Sequence, residues 1–257
     1  MKTVRMFGIS LVAVTLGEAS EWLSIMAQKK ETRLIFTANT EAIVLMRSNE
    51  EFRNAYSAAD YALADGMPLV WFSRLIGDRL PERVTGSDLL PELCRMAEKK
   101  SLKVFFLGGT PEVTPKAVEN LLKRFPALRV VGMATPWIDL ADKQEVHSDL
   151  IESINRSEPD IVFIGFGAPK QEIWLGRNNE RLKTGIIVTV GGTFDFLAGK
   201  TVRAPLWMQK SGLEWLWRLL HEPKRLWRRY LIGNARFLVI AWREWRKPGT
   251  FCDSRDL

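Results

Sequence analysis

Five short clusters carry the residue types that can do chemistry: TANT (Thr37 to Thr40), DGMP (Asp65 to Pro68), GGTPE (Gly108 to Glu112), GFGAPKQE (Gly165 to Glu172) and GGTFDFLAG (Gly191 to Gly199). Three of them hold paired or near-paired glycines, whose missing side chains let backbone N–H groups approach a phosphate. One such turn is compatible with a tight bend alone. Three at one sheet edge point to a nucleotide or diphosphate ligand. No segment matches G-x-x-x-x-G-K-[ST] or a strand-linked G-x-G-x-x-G, which counts against ATPase and dinucleotide chemistry. The sequence has no Asp-x-Asp pair for a divalent ion, and its two histidines, His147 and His221, lie far apart without a cysteine cluster. A metal-free diphosphate site is therefore expected. Asp65 fits either a general base or a helix N-cap, and the residues alone leave both open.

Turns of this kind need rigid elements behind them. Apolar runs predict strands over Met6–Val14, Arg33–Thr37, Tyr61–Ala64, Lys103–Leu107, Arg129–Met133, Ile161–Ile164 and Ile186–Val190. Amphipathic patterns predict helices over Ser87–Lys99, Glu112–Phe125, Lys143–Asn155 and Lys170–Leu182. Such alternation implies an α/β fold whose mostly parallel sheet has helices on both faces, with ligands beyond the C-terminal strand ends. Near the start, Lys2, Arg5 and an apolar run imitate a targeting segment, but Thr15-Leu-Gly-Glu18 reads as a capping box, so a strand followed by a helix is expected.

The formal charge of +7 is unevenly placed. From Lys200 onward there are 13 Lys/Arg against 5 Asp/Glu, leaving residues 1–199 nearly neutral, and six of the ten Trp lie beyond residue 200. A uniformly basic domain would suit nucleic acid. A neutral body with a basic, Trp-rich end suits an anionic membrane surface instead. Pro223 predicts one helix ending near His221 and another beginning near Pro223, with Leu226, Trp227, Tyr230, Leu231, Phe237, Leu238 and Trp242 as its apolar side. The run Phe237–Trp242 is far too short to span a bilayer, so the end is expected to lie on the membrane. Packing on the core or on another subunit remains an alternative use of the same helix. Cys94 and Cys252 suggest no disulfide and a reducing compartment.

In the order TANTEAIVLMR, YALADGMPLVW, PERVTGSDLL, VFFLGGTPE, FIGFGAPKQEIW and VGGTFDFLAGKTVRAPLWMQKSGLEWLWRLLHEPKRLWRRY, the chain resembles the WecG/TagA/CpsF glycosyltransferase family. The resemblance implies a Rossmann-like fold with a C-terminal helical appendage, and transfer of a sugar from a UDP donor to a polyprenyl-diphosphate-linked saccharide at the cytoplasmic membrane face. It divides the chain into a catalytic domain, residues 1–199, and an appendage, residues 200–257.

By resemblance Asp65 is the base, Thr37 and Asn39 position the reacting sugar or acceptor, Arg83 contacts phosphate, and Gln171 lies at the active-site edge. Gly108, Gly109, Thr110, Gly167, Ala168, Lys170, Gly191, Gly192 and Asp195 are assigned to the donor. Arg203, Arg218, Arg225 and Arg228 are assigned to the acceptor diphosphate or the membrane. Capping for Thr37 and Asn39, an exposed loop for Arg83, a solvated helical turn for Lys170 and loop closure for Asp195 are the competing roles.

Inverting transfer of N-acetylmannosamine or its uronic acid is the expected function. No cofactor or metal and no nucleic acid are expected, homo-oligomerisation stays open, and the location is peripheral on the inner membrane face. Glucosyl or other hexosyl transfer in exopolysaccharide assembly, or a non-catalytic nucleotide-sugar-binding scaffold, are the alternatives.

Overall fold

A computed structural model describes residues 1–141 and 147–246. Cys252, and the start of the helix expected from Lys143, fall outside the described residues, as does the side chain of Arg225.

The predicted alternation produces an eight-stranded sheet. Its strands are β1 (Thr3–Met6), β2 (Ile9–Val12), β3 (Arg33–Ala38), β4 (Tyr61–Ala64), β5 (Lys103–Gly108), β6 (Arg129–Ala134), β7 (Ile161–Gly165) and β8 (Ile186–Thr189). The spatial order is β1-β2-β4-β3-β8-β7-β5-β6, parallel throughout except for the β1–β2 pair. Period-2 alternation sorts the strand residues between two apolar layers. Leu34, Phe36, Leu107, Val162, Ile164 and Ile187 enter one layer; Ile35, Val104, Phe106, Phe163, Ile186 and Val188 enter the other. Both layers are completed by helices, as expected of a buried parallel sheet.

The expected strand Met6–Val14 is corrected to a hairpin. The chain reverses at Phe7 and Gly8, both with positive φ (57° and 85°), a conformation glycine accepts freely and phenylalanine does not. Phe7 is held there by Phe72, ring centroids 4.5 Å apart, and by Phe237 at 5.5 Å. Its N–H also donates to a Glu244 carboxylate oxygen at 3.2 Å. The capping box expected at Thr15 is present and opens the helix Leu16–Ala27. Cys94 is buried in the second layer as a free thiol.

Beyond residue 200 the chain returns over the C-terminal edge of the sheet as helices Leu206–Lys210, Glu214–His221 and Pro223–Trp227, a π-helical turn Arg228–Ile232, and helix Gly233–Trp245. Pro223 opens its helix as expected. The apolar side expected of this end is two faces rather than one. Leu226, Tyr230 and Phe237 are buried toward the body, with Phe237 in the first layer. Trp227, Leu231, Leu238 and Trp242 are exposed, Leu238 at 66%. Among the described residues, no helix is long and apolar enough to cross a membrane.

Candidate active site

Parallel strands deliver all five clusters to one sheet edge, and short backbone hydrogen bonds lock them together. Asp65 N–H donates to the Ala38 carbonyl at 2.7 Å, which sets the turn after β4 beside Asn39. Val84 N–H donates to the Ala64 carbonyl at 2.8 Å and brings Arg83 alongside Asp65. On the other side of β8, Gly109 N–H donates to the Gly165 carbonyl at 3.1 Å. Between these turns and the returning C-terminal helices lies a cleft of about 720 Å³, within the range of small-ligand sites.

Asp65 lines the cleft. The capping alternative is not what the structure shows: the helix Met67–Leu75 begins after Gly66, which has φ 145°, and it has no side-chain cap. Burial pushes the Asp65 carboxyl up to about 6; Glu214 adds to the rise, and Arg83 opposes it. A carboxylate with that value is mostly ionised near neutrality yet basic enough to accept a proton.

Thr37 and Asn39 also line the cleft, and both have structural bonds. The Thr37 hydroxyl donates to the Thr189 carbonyl at 3.0 Å, and its N–H donates to Thr189 Oγ1, also at 3.0 Å. Asn39 Oδ1 accepts from Ala42 N–H at 3.1 Å and caps helix Thr40–Ser48. Arg83 reaches the cleft from within an acidic cluster. It lies 3.0 Å from Glu214 and 3.7 Å from Asp88, and donates to Gln209 Oε1 at 3.3 Å. The exposed-loop alternative for Arg83 therefore gives way to a partly buried, fixed guanidinium.

Gln171 does more than mark an edge. Its Oε1 accepts from Gly167 N–H at 3.3 Å and Gly191 N–H at 3.2 Å, tying two glycine turns together. Those two amides, expected to meet a phosphate, are engaged by Gln171 instead. Gly109, Thr110, Ala168 and Gly192 line the cleft. Gly108 does not. With φ 115°, and with Gly165 carbon 2.7 Å from where a Cβ would stand, its place is set by close packing of two backbones. Lys170 Nζ donates to the Ile138 carbonyl at 2.8 Å and lies 4.6 Å from the centroid of the Trp137 ring. Asp195 lines the cleft, pairs with Lys200 at 3.6 Å, and accepts from Lys200 and Thr201 N–H through its carbonyl.

The four assigned arginines separate. Arg218 lines the cleft, stacked 5.4 Å from the Phe196 ring centroid and beside Gly192. Arg203 does not: it sits 2.6 Å from Asp88 and 3.6 Å from Glu214, bracing the acidic cluster that holds Arg83. Arg228 is exposed over the Trp227 ring. The cleft takes Arg229 in its place, 2.7 Å from Glu41. Sequence reasoning missed Arg229, Glu41, Glu172 and Glu214. Helical spacing held a signal for one of them, because Arg229 falls three residues after Leu226 and eight before Phe237, on the inward face. The described residues contain no group of three or more His, Cys, Asp or Glu placed to hold a metal ion.

A curated protein of Bacillus spizizenii is 34% identical over 77% of this chain and 74% of its own length. One from Bacillus subtilis is 28% identical over 85% and 82%, and one from Staphylococcus aureus is 29% identical over 88% and 87%. All three are named N-acetylglucosaminyldiphosphoundecaprenol N-acetyl-beta-D-mannosaminyltransferase. Residues 4–250 match the glycosyl transferase WecG/TagA/CpsF family, and the chain, a glycosyltransferase, belongs to it.

Proposed function

We propose that the chain transfers a neutral N-acetylhexosamine, N-acetylmannosamine in the first instance, from a UDP donor to N-acetylglucosamine carried on a polyprenyl diphosphate. The observation that carries this reading is Asp65, its carboxyl raised to about 6, in a nucleotide-sugar-sized cleft walled by glycine turns and arginines. The relatives' names supply the sugar and the acceptor.

In this mechanism Asp65 takes the proton of the acceptor hydroxyl. The acceptor oxygen forms a bond to the anomeric carbon as the bond from that carbon to the UDP oxygen breaks, and the electron pair leaves on the diphosphate. Arg218 at the Gly191–Gly192 turn, with Arg83, stabilises the departing charge. The reading gives no step to a divalent ion: guanidinium groups at the cleft meet the diphosphate, and among the described residues no group of three or more His, Cys, Asp or Glu is placed to hold a metal.

The membrane part of the reading rests on the outer stripe of the C-terminal helices. Trp227, Leu231, Leu238 and Trp242 recur at helical spacing and are exposed, among arginines. Such a stripe lies in the headgroup region of an anionic bilayer, where a polyprenyl-linked acceptor would be presented, and the location is the inner face. The test is a screen of UDP-sugars for UDP release, using a short-chain polyprenyl-diphosphate N-acetylglucosamine. Turnover with UDP-N-acetylmannosamine is expected; turnover with UDP-glucose alone would move the assignment to hexosyl transfer.

A further inference from the structure

We propose that Glu172 is a sugar-recognition group, its Oε2 binding one hydroxyl or amide hydrogen of a neutral sugar held at Asp65. The proposal rests on the functional reading above and specifies which end of the cleft holds the sugar.

Glu172 is 1% exposed yet lines the cleft. Its Oε1 accepts from Gln171 Nε2 at 2.8 Å, which fixes the carboxyl plane. Its Oε2 is buried and has no hydrogen-bond partner among the described residues. A buried acceptor left unpaired costs the folded state, so an unpaired one at a cleft wall points to a ligand that completes it. Sites built this way reject substrates lacking the matching group far more strongly than apolar pockets reject a missing methylene.

Glu172 lines the same cleft as Asp65 and Arg229. Buried Tyr56 is influenced by the charges of both Glu172 and Asp65. Arg229 acts on Asp65, Glu172 and Glu41 alike. The chemistry of the ligand group follows from charge. Burial pushes the Glu172 carboxyl up to about 7, with Glu41 adding to the rise, so it can accept a hydrogen bond when ionised and donate one when protonated. A sugar carboxylate placed here would face Glu172 and Glu41, while Arg229 is already paired with Glu41 at 2.7 Å. The subsite therefore takes a neutral hexosamine and disfavours a hexuronate. Both the transferred sugar and the acceptor sugar meet at Asp65, and either can supply the hydroxyl or amide.

The experiment compares wild type with Glu172→Gln. This variant keeps an Oε1 acceptor for Gln171 and replaces Oε2 by an amide. The probes are UDP alone, UDP-N-acetylmannosamine, and donor and acceptor sugars deoxygenated one position at a time or stripped of the acetamido group. UDP binding should stay within twofold of wild type and the melting temperature should be no lower than wild type, since the amide relieves a buried carboxyl, while kcat/KM with the intact substrates falls at least tenfold. One deletion, in the donor or the acceptor series, should harm wild type by a similar factor and leave the variant unharmed; the series in which it appears identifies the sugar. Wild type indifferent to every deletion overturns the proposal, whether or not the variant folds. So does a variant that loses as much as wild type at each deletion, or one with full kcat/KM. Wild type that neither binds UDP nor turns over would sink the functional reading as well, whereas normal wild-type turnover beside an identical variant sinks the inference alone.

Discussion

Asp65→Asn should stabilise the protein while nearly abolishing its activity. The Asp65 carboxyl is raised from 3.8 to about 6, chiefly by burial. Its ionised form is therefore less favourable in the folded chain than in the unfolded one. At about 1.36 kcal/mol per unit, a rise of roughly two units corresponds to about 3 kcal/mol, an upper value because the amide also loses hydration on burial. The sign follows directly. Below about pH 4 the carboxyl is protonated in both states and the substitution gains nothing. The gain grows as pH rises through about 6 and is complete above it. Because Gly66, not Asp65, stands at the start of helix Met67–Leu75, no cap is lost.

Thermal unfolding at pH 4 and pH 8 measures the effect. A chain of this size shifts by roughly 2–4 °C per kcal/mol, so the variant should melt up to about 6–12 °C above wild type at pH 8 and close to it at pH 4. Turnover should fall by about 10² to 10⁴, the usual cost of a missing general base. A variant less stable than wild type at pH 8 would refute the burial argument. Full activity would refute the role of Asp65 as base.

Other outcomes follow from the same geometry. Glu214→Gln should move the acid limb of the kcat/KM profile to lower pH, because Glu214 raises the Asp65 value; an upward shift would contradict the placement. Excess EDTA should leave turnover unchanged, and a loss restored by magnesium or manganese would refute metal independence. Replacing Leu231, Leu238 and Trp242 by Glu should release the protein from anionic vesicles without changing UDP binding; retention on vesicles would make this stripe a packing surface. Arg218→Glu should remain inactive even with a water-soluble acceptor, whereas Arg228→Glu should lose only about 2 kcal/mol of vesicle binding, about 1 for each unit of charge changed, and be rescued by that acceptor, with the reverse pattern overturning the division.

The sheet was legible because its signals are local. Tyr61–Ala64 is a strand over the expected residues, and Thr15 with Glu18 forms the expected capping box. The hairpin at Phe7 was not legible, since its left-handed turn residue is stabilised by Phe72 and Phe237, which are distant in sequence. The same distinction runs through the site. Asp65, Gly109 and Gly192 follow strand ends, where a parallel sheet must bring them together. Glu172 sits in the first turn of helix Lys170–Asn178, where an acidic residue is ordinarily explained by the helix dipole. Its burial at a cleft wall shared with Arg229 of the returning helices, and its unpaired Oε2, give the carboxyl another meaning.

Those helices also change how the uneven charge is understood. The basic surplus beyond residue 200 suggests an anchor, yet the same segment supplies Arg218, Arg229 and Glu214 to the cleft wall. Glu214 holds Arg83 at 3.0 Å and raises Asp65, so displacing helix Glu214–His221 would loosen the proposed phosphate contact and lower the basicity of the proposed base together. Phe237, buried at 4% exposure in the core layer, ties that segment to the body, while Leu238, its neighbour, is left at the surface. The returning helices thus present inner faces that complete the cleft and an outer face suited to lipid. An acceptor with a polyprenyl tail and a reactive sugar requires both environments within one molecule's reach.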